Sequence, residues 1–134
     1  MQQRDYLLRE IEKIGAIIQT IRQKLLGGTD KLSINIEQQV EEAKGMLLND
    51  LDFDMDKFLA LNDEAAFAYI NKYPGFTVKN MEALALWLSE IGTANHSNIY
   101  LEKALFLYEH CNTVSKTFSM ERENNIDKIK GALN

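Results

Sequence analysis

One proline and one cysteine in 134 residues exclude several architectures at once. A lone thiol, Cys111, cannot close an intrachain disulfide, so the chain is no disulfide-stapled scaffold. A single cysteine reads as a small buried apolar group in a reducing compartment. Pro74 stands alone and the seven glycines are few. That scarcity of breakers argues against many short strands joined by tight turns and favours long helices. The longest purely apolar run, Ala83 to Leu88, falls far short of the roughly 20 residues a membrane-spanning helix needs. The start, Met1 to Asp5, leads into a charged amphipathic pattern without the apolar stretch of a secretion signal. The expectation is a cytoplasmic, soluble protein with no membrane partner.

Basic side chains are also few where nucleic acid would demand them. The net charge is −5, and it is unevenly placed. Residues 1–26 hold five Lys/Arg against three Asp/Glu, whereas residues 37–64 hold nine acidic side chains against Lys44 and Lys57. No basic footprint matches a run of phosphates, so nucleic acid is excluded as the expected partner. The basic first segment and the acidic middle could attract each other, within one chain or between two copies; equally, they could be two solvated faces. The composition, 46% hydrophobic and 26% charged, is that of a globular protein. A chain this long can bury one core without staples, and a single helical domain over 1–134 is expected.

What the chain does have is helical periodicity. Leu7, Ile11, Ile14, Ile18, Ile21 and Leu25 follow one another at alternating steps of four and three. This is an unbroken heptad seam, and it predicts a long first helix over 3–26, ended by Gly27-Gly28. The seam could pack inside the monomer or pair with the same helix of a second copy, so its six residues are the candidate interface. A second helix, from Ser33 or Asn35 to Asn49, carries Ile36, Val40, Ala43 and Leu47 on one stripe. A third region over 54–73 is interrupted at Asn62-Asp63 and stopped by Tyr73-Pro74-Gly75. Thr77 caps a helix over 78–91 that Gly92 is placed to end, and two more helices follow over 95–112 and 115–133. The fold class is all-α, with about six to seven helices.

Residue types that carry chemistry are present but scattered. Asp50, Asp52, Asp54 and Asp56 alternate with Leu51, Phe53 and Met55. A calcium loop needs a glycine and a closing glutamate that this stretch lacks, so an acidic turn whose aspartates cap the next helix is the reading. His110 and Cys111 are adjacent on a helix and point about 100° apart, and His96 lies about four turns away. A surface histidine beside a buried thiol is expected rather than a nucleophile or a metal site. Trp87, Tyr100, Phe106 and Tyr108 suit core packing between the last helices, with a peptide groove as the other use. No catalytic, cofactor-binding or metal-ligating set emerges, and the expectation is a non-enzymatic chain without cofactor.

Leu84-Ala85, Leu88, Gly92, Ser97, Leu101 and Ala104-Leu105 are spaced as in one tetratricopeptide repeat, a helix–turn–helix unit about 34 residues long. The segment 81–108 resembles that repeat, with serine at 97 where the family usually has alanine. The whole chain resembles an uncharacterised family of small bacterial proteins with a tetratricopeptide-like helical fold. Asp5 to Gly15 at the start and Thr117 to Arg122 near the end carry that likeness. The resemblance implies antiparallel helical hairpins behind a long N-terminal helix, and it brings no activity. The function expected is a helical protein–protein interaction module that binds a protein or peptide or forms a homodimer through the first helix. The alternative is a small-molecule- or metal-binding protein or enzyme with a pocket between helices.

Overall fold

A computed structural model describes residues 2–27 and 32–133, with side chains described for 4–24 and 36–133. The described residues form an all-α protein of seven helices without a strand. These are α1 (Gln2–Gly27), α2 (Leu32–Leu51), α3 (Met55–Ala60), α4 (Asp63–Ile70), α5 (Val78–Asn95), α6 (Asn98–Ser115) and α7 (Met120–Leu133). They group into two compact units, Met1–Gly75 and Phe76–Asn134.

In the first unit, α1 packs on α2. Ile14, Ile17, Ile18 and Ile21 of α1 are buried, as are Ile36, Val40, Ala43 and Leu47 of α2. Gln39 Nε2 donates to the Lys24 carbonyl at 3.0 Å, and Lys24 Nζ lies 3.5 Å from Glu42. The helix end expected at Gly27-Gly28 falls partly outside the described residues. α2 ends at Leu51, and Asp52 just after it adopts a left-handed conformation with φ 57°. The Asp52 N–H bonds the Leu48 carbonyl at 2.9 Å, and the Phe53 N–H bonds that of Leu47 at 3.1 Å.

That sharp turn drives Phe53 inward, where it is fully buried. Its ring lies 5.4 Å from Phe58, 5.3 Å from Tyr69 and 5.4 Å from Tyr73, separations at which tilted aromatic rings attract. Asp54 then accepts the Lys57 N–H at 3.1 Å and caps α3; Asn62 accepts the Ala65 N–H at 2.8 Å and caps α4. The interruption expected at Asn62-Asp63 is this second cap. Two tyrosine hydroxyls fasten the turn from α4 and its end. Tyr69 accepts the Asp54 N–H at 2.8 Å, and Tyr73 donates to the Asp52 carbonyl at 2.6 Å. Burial, then the hydrogen bond with Tyr69, raises the Tyr73 hydroxyl well above its ordinary pKa. Gly75 closes the unit: a Cβ there would stand 2.8 Å from both the Glu10 carbonyl oxygen and Ile14 Cδ1. The backbone after Pro74 therefore lies directly on α1.

The second unit is a three-helix arrangement in which α5 packs on α6 and both touch α7. Thr77 accepts the Asn80 N–H at 3.2 Å and caps α5, as its position in the sequence implies. Leu84, Ala85, Leu88, Ile91, Leu101, Ala104 and Leu107 are buried between the helices. Gly92 does not end α5; the helix runs on to Asn95. A Cβ at 92 would meet Leu101 Cγ at 2.8 Å, so this glycine lets α6 approach closely. The turn falls instead at His96, with φ 53°, where the His96 and Ser97 N–H groups both bond the Gly92 carbonyl. Consequently α6 starts at Asn98 rather than Asn95. The last helix likewise starts at Met120 rather than Ser115, because Lys116 takes the left-handed conformation, φ 55°.

Opposite effects are expected at these two kinds of position. Lys116→Gly removes side-chain strain in the left-handed region and should stabilise the fold by about 1 kcal/mol, seen as a rise of a few degrees in thermal midpoint. Gly92→Ala should destabilise by about 1–3 kcal/mol despite alanine's better helix propensity, because Leu101 is enclosed and cannot yield. Equal midpoints for both variants and the parent would refute this account of the helix ends.

Candidate interaction surface

The heptad seam of α1 divides into two parts. Ile14, Ile18 and Ile21 are between 0% and 3% exposed and belong to the core. Ile11 is half-buried, and Leu7 is 38% exposed. The Leu25 side chain lies outside the described residues. Ahead of Glu10, every described side chain from Arg4 to Arg9 is exposed. Six consecutive residues cover more than a full helical turn, so among the described residues no face of the helix is covered there. Tyr6 and Leu8 are 62% and 49% exposed. Three large apolar side chains on a bare helix end are costly to leave in water, which makes this end the candidate interaction surface.

The acidic turn has a different character. Asp50, Asp52, Asp54 and Asp56 are all exposed, while Phe53 and Met55 between them are buried. Asp56 Oδ1 lies 2.9 Å from Lys44 Nζ, which also reaches Glu41 Oε2 at 3.2 Å. Lys44, Gly45, Leu48, Asp54 and Asp56 line a shallow groove of about 210 Å³ between α2 and the start of α3. Nothing lies within 4 Å of where a Cβ on Gly45 would be, and Leu48 is 48% exposed. Among the described residues, no three His, Cys, Asp or Glu side chains converge in a way that could hold a metal ion.

The reactive residue types of the second unit are turned to structural use. His96 is exposed at the left-handed turn, whereas His110 is buried at 8% exposure and stacks on Phe106, ring centroids 6.0 Å apart and planes 5° apart. The expected surface histidine beside Cys111 is therefore not found; burial lowers the His110 pKa. Cys111 is fully buried, with Sγ donating to the Val78 carbonyl at 3.7 Å. Burial, then the Glu82 carboxylate, pushes its thiol up to about 12, against a smaller opposing pull from Arg122. A thiol so held stays protonated and is no nucleophile at neutral pH. Trp87 and Tyr108 are each 1% exposed and belong to the core; Tyr100 and Phe106 are half-buried.

A buried guanidinium, which sequence reasoning did not single out, organises the other end of α6. Arg122 is 4% exposed. Its Nε donates to Glu82 Oε2 at 3.0 Å, and its Nη1 to Asn112 Oδ1 at 2.8 Å and the Thr117 carbonyl at 3.0 Å. Glu82 is on α5, Asn112 on α6 and Thr117 in the following turn, so one side chain ties three elements together. Ser115 and Thr117 exchange hydrogen bonds, and Ser119 Oγ accepts the Arg122 N–H at 3.2 Å to cap α7. The pinned turn holds Phe118 outward at 72% exposure, beside Val114 at 50% and Met120 at 65%. Phe118 and Met120 read as inward positions of the last helix only if the helix begins at Ser115. Ser115, Thr117 and Ser119, short polar side chains that favour turns and caps, were the available signal for a break.

Fold and surface define the class: an all-helical protein with a bare helix end and an acidic groove, and with no cluster of His, Cys, Asp or Glu that could hold a metal ion among the described residues. Comparison with protein-family models, curated proteins and solved structures finds no match to the chain.

The state of His110 has a consequence for stability. Its pKa in the folded chain lies below the ordinary 6.5, so the unfolded chain binds that proton more readily. The contribution is complete above about pH 6.5 and is lost as pH falls through the lower folded value. His110→Phe keeps a ring on Phe106 and should flatten the decline in unfolding midpoint between about pH 7 and pH 5, measured by circular dichroism. An unchanged slope would show that His110 does not titrate on unfolding.

Proposed function

We propose that this protein is a non-enzymatic helical interaction module that self-associates through the N-terminal turns of α1. The observation that carries the reading is the run of exposed residues Arg4 to Arg9 with Tyr6, Leu7 and Leu8 among them. Paired heptad seams bury such residues at little conformational cost, because the helix is already formed by its inner half. In this reading the seam has two uses along its length: Ile14, Ile18 and Ile21 hold the monomer, and Leu7 and Ile11 extend to a second copy. The α5–α6 hairpin, with Ala85 and Ala104 buried and Gly92 close under Leu101, acts as a tetratricopeptide-like scaffold. The chain works in the cytoplasm in this reading, in keeping with its single buried thiol.

The test is light scattering on size-fractionated protein. The parent should form a dimer that dissociates on dilution. Leu7→Asp with Leu8→Asp should remain folded, since both positions are exposed, and should be monomeric at concentrations at least tenfold higher. A parent that is monomeric at every concentration would overturn the proposal.

One observation favours a second reading, a small-molecule binder. Leu86, Ser89, Thr93, Asn125, Lys128 and Ile129 line a groove of about 450 Å³ between α5 and α7, within the size range of ligand sites. A thermal-shift screen of metabolites should then find a compound that raises the midpoint for the parent and not for Ser89→Trp, which fills the groove. A screen with no such compound would remove this reading.

A further inference from the structure

We infer that α1 makes a second contact between copies, distinct from its seam: the strip Tyr6, Arg9 and Lys13 docks in the acidic groove of α2 and α3 in another copy of this chain. At 100° per residue, positions 6, 9 and 13 fall within about 60° of one another. All three side chains are exposed. The strip is centred about 130° from Leu7 and Leu8, so the two faces of the helix can be engaged separately.

The groove matches this strip in charge and in shape. It is edged by Glu41, Asp54 and Asp56, with Asp50 and Asp52 exposed nearby. Lys44 offsets only part of that charge, because residues 37–64 carry nine acidic side chains against two basic ones. Leu48 supplies an exposed apolar wall, and the open space over Gly45 admits one large side chain. Tyr6 fits as that side chain: an aromatic ring with a polar tip, on Leu48 and over the glycine. Arg9 and Lys13, one and two turns on, then reach the carboxylates along the groove. Opposed charge of this kind steers encounter and sets register more than it adds affinity. The α1 that occupies the groove belongs to a second copy, since that helix is the basic segment of this chain and its end is uncovered.

Gly45 makes the test clean. A Cβ at position 45 meets nothing within 4 Å, so Gly45→Leu starts without a clash at its branch point, improves the helix, and fills the space Tyr6 would take. It should fold at least as well as the parent and weaken association at least tenfold in sedimentation. The charge-reversed pair Arg9→Glu with Lys13→Glu should weaken it similarly, as should Glu41→Lys with Asp56→Lys. Mixing those two charge-reversed proteins should restore association, because each then meets its opposite. Raised salt should weaken the parent and the mixture alike. Association of Gly45→Leu as strong as that of the parent, or no restoration on mixing, would overturn the groove contact. Loss of association in the Leu7 and Leu8 variant with no effect at Gly45 would overturn it too, while leaving the seam contact standing.

Discussion

A chain that is nearly all helix must satisfy the last carbonyls of each helix, and here side-chain-bearing residues do that work. Asp52, His96 and Lys116 adopt the left-handed conformation that glycine takes at little cost. No described glycine does so. Two of the glycines are placed instead where backbone must come close to something else: Gly92 beneath Leu101 and Gly75 on the Glu10 carbonyl. Everything downstream depends on this exchange of roles. The Asp52 turn sends Phe53 into its ring cluster, the His96 turn folds α6 onto α5, and the Lys116 turn delivers Arg122 to Glu82 and Asn112.

Each of those turns needs hydrogen bonds to repay the strain of a left-handed residue. At Asp52 the repayment comes from Tyr73, which donates to its carbonyl, and from Tyr69, which accepts the next free N–H. At Lys116 it comes from Arg122 and from the Ser115–Thr117 bonds. A buried guanidinium is costly unless its donors are met, and a nearby carboxylate, amide and carbonyl meet those of Arg122. The same side chain thus orders a turn and joins three elements, and it leaves Phe118 exposed as a by-product of the turn it holds.

Periodicity made the helices readable and glycine made their ends misleading. The stripes Ile36–Val40–Ala43–Leu47 and Leu84–Leu88–Ile91 are buried as their spacing implies. The caps Thr77, Asp54 and Asn62 were visible because short polar side chains compete for the first free N–H groups. By sequence Gly92 marks a stop, because glycine is favoured after helices; its actual role depends on Leu101, nine residues on, which no local rule supplies. The split of the α1 seam into a covered and an uncovered part was equally invisible, since Leu7 and Ile14 are equivalent in a heptad. Packing on α2, and the chain after Pro74 that lies over Glu10 and Ile14, make them different.

In the proposed reading, that split gives both parts of a regular seam a use. A monomer needs only the turns that pack on α2, and the turns before Glu10 have nothing of their own chain to cover them among the described residues. Tyr6, Leu7 and Leu8 on a solvated end would otherwise favour loose aggregation. Charges interleaved with them, Arg4, Asp5 and Arg9, oppose that and restrict what can dock, because a partner must answer both the apolar and the basic side chains at once. Within this chain the stretch from Glu41 to Asp56 offers that combination: carboxylates around an exposed leucine beside a glycine with open space. In the groove contact we propose, the acidic middle and the basic start are two halves of one recognition problem, and every copy carries both.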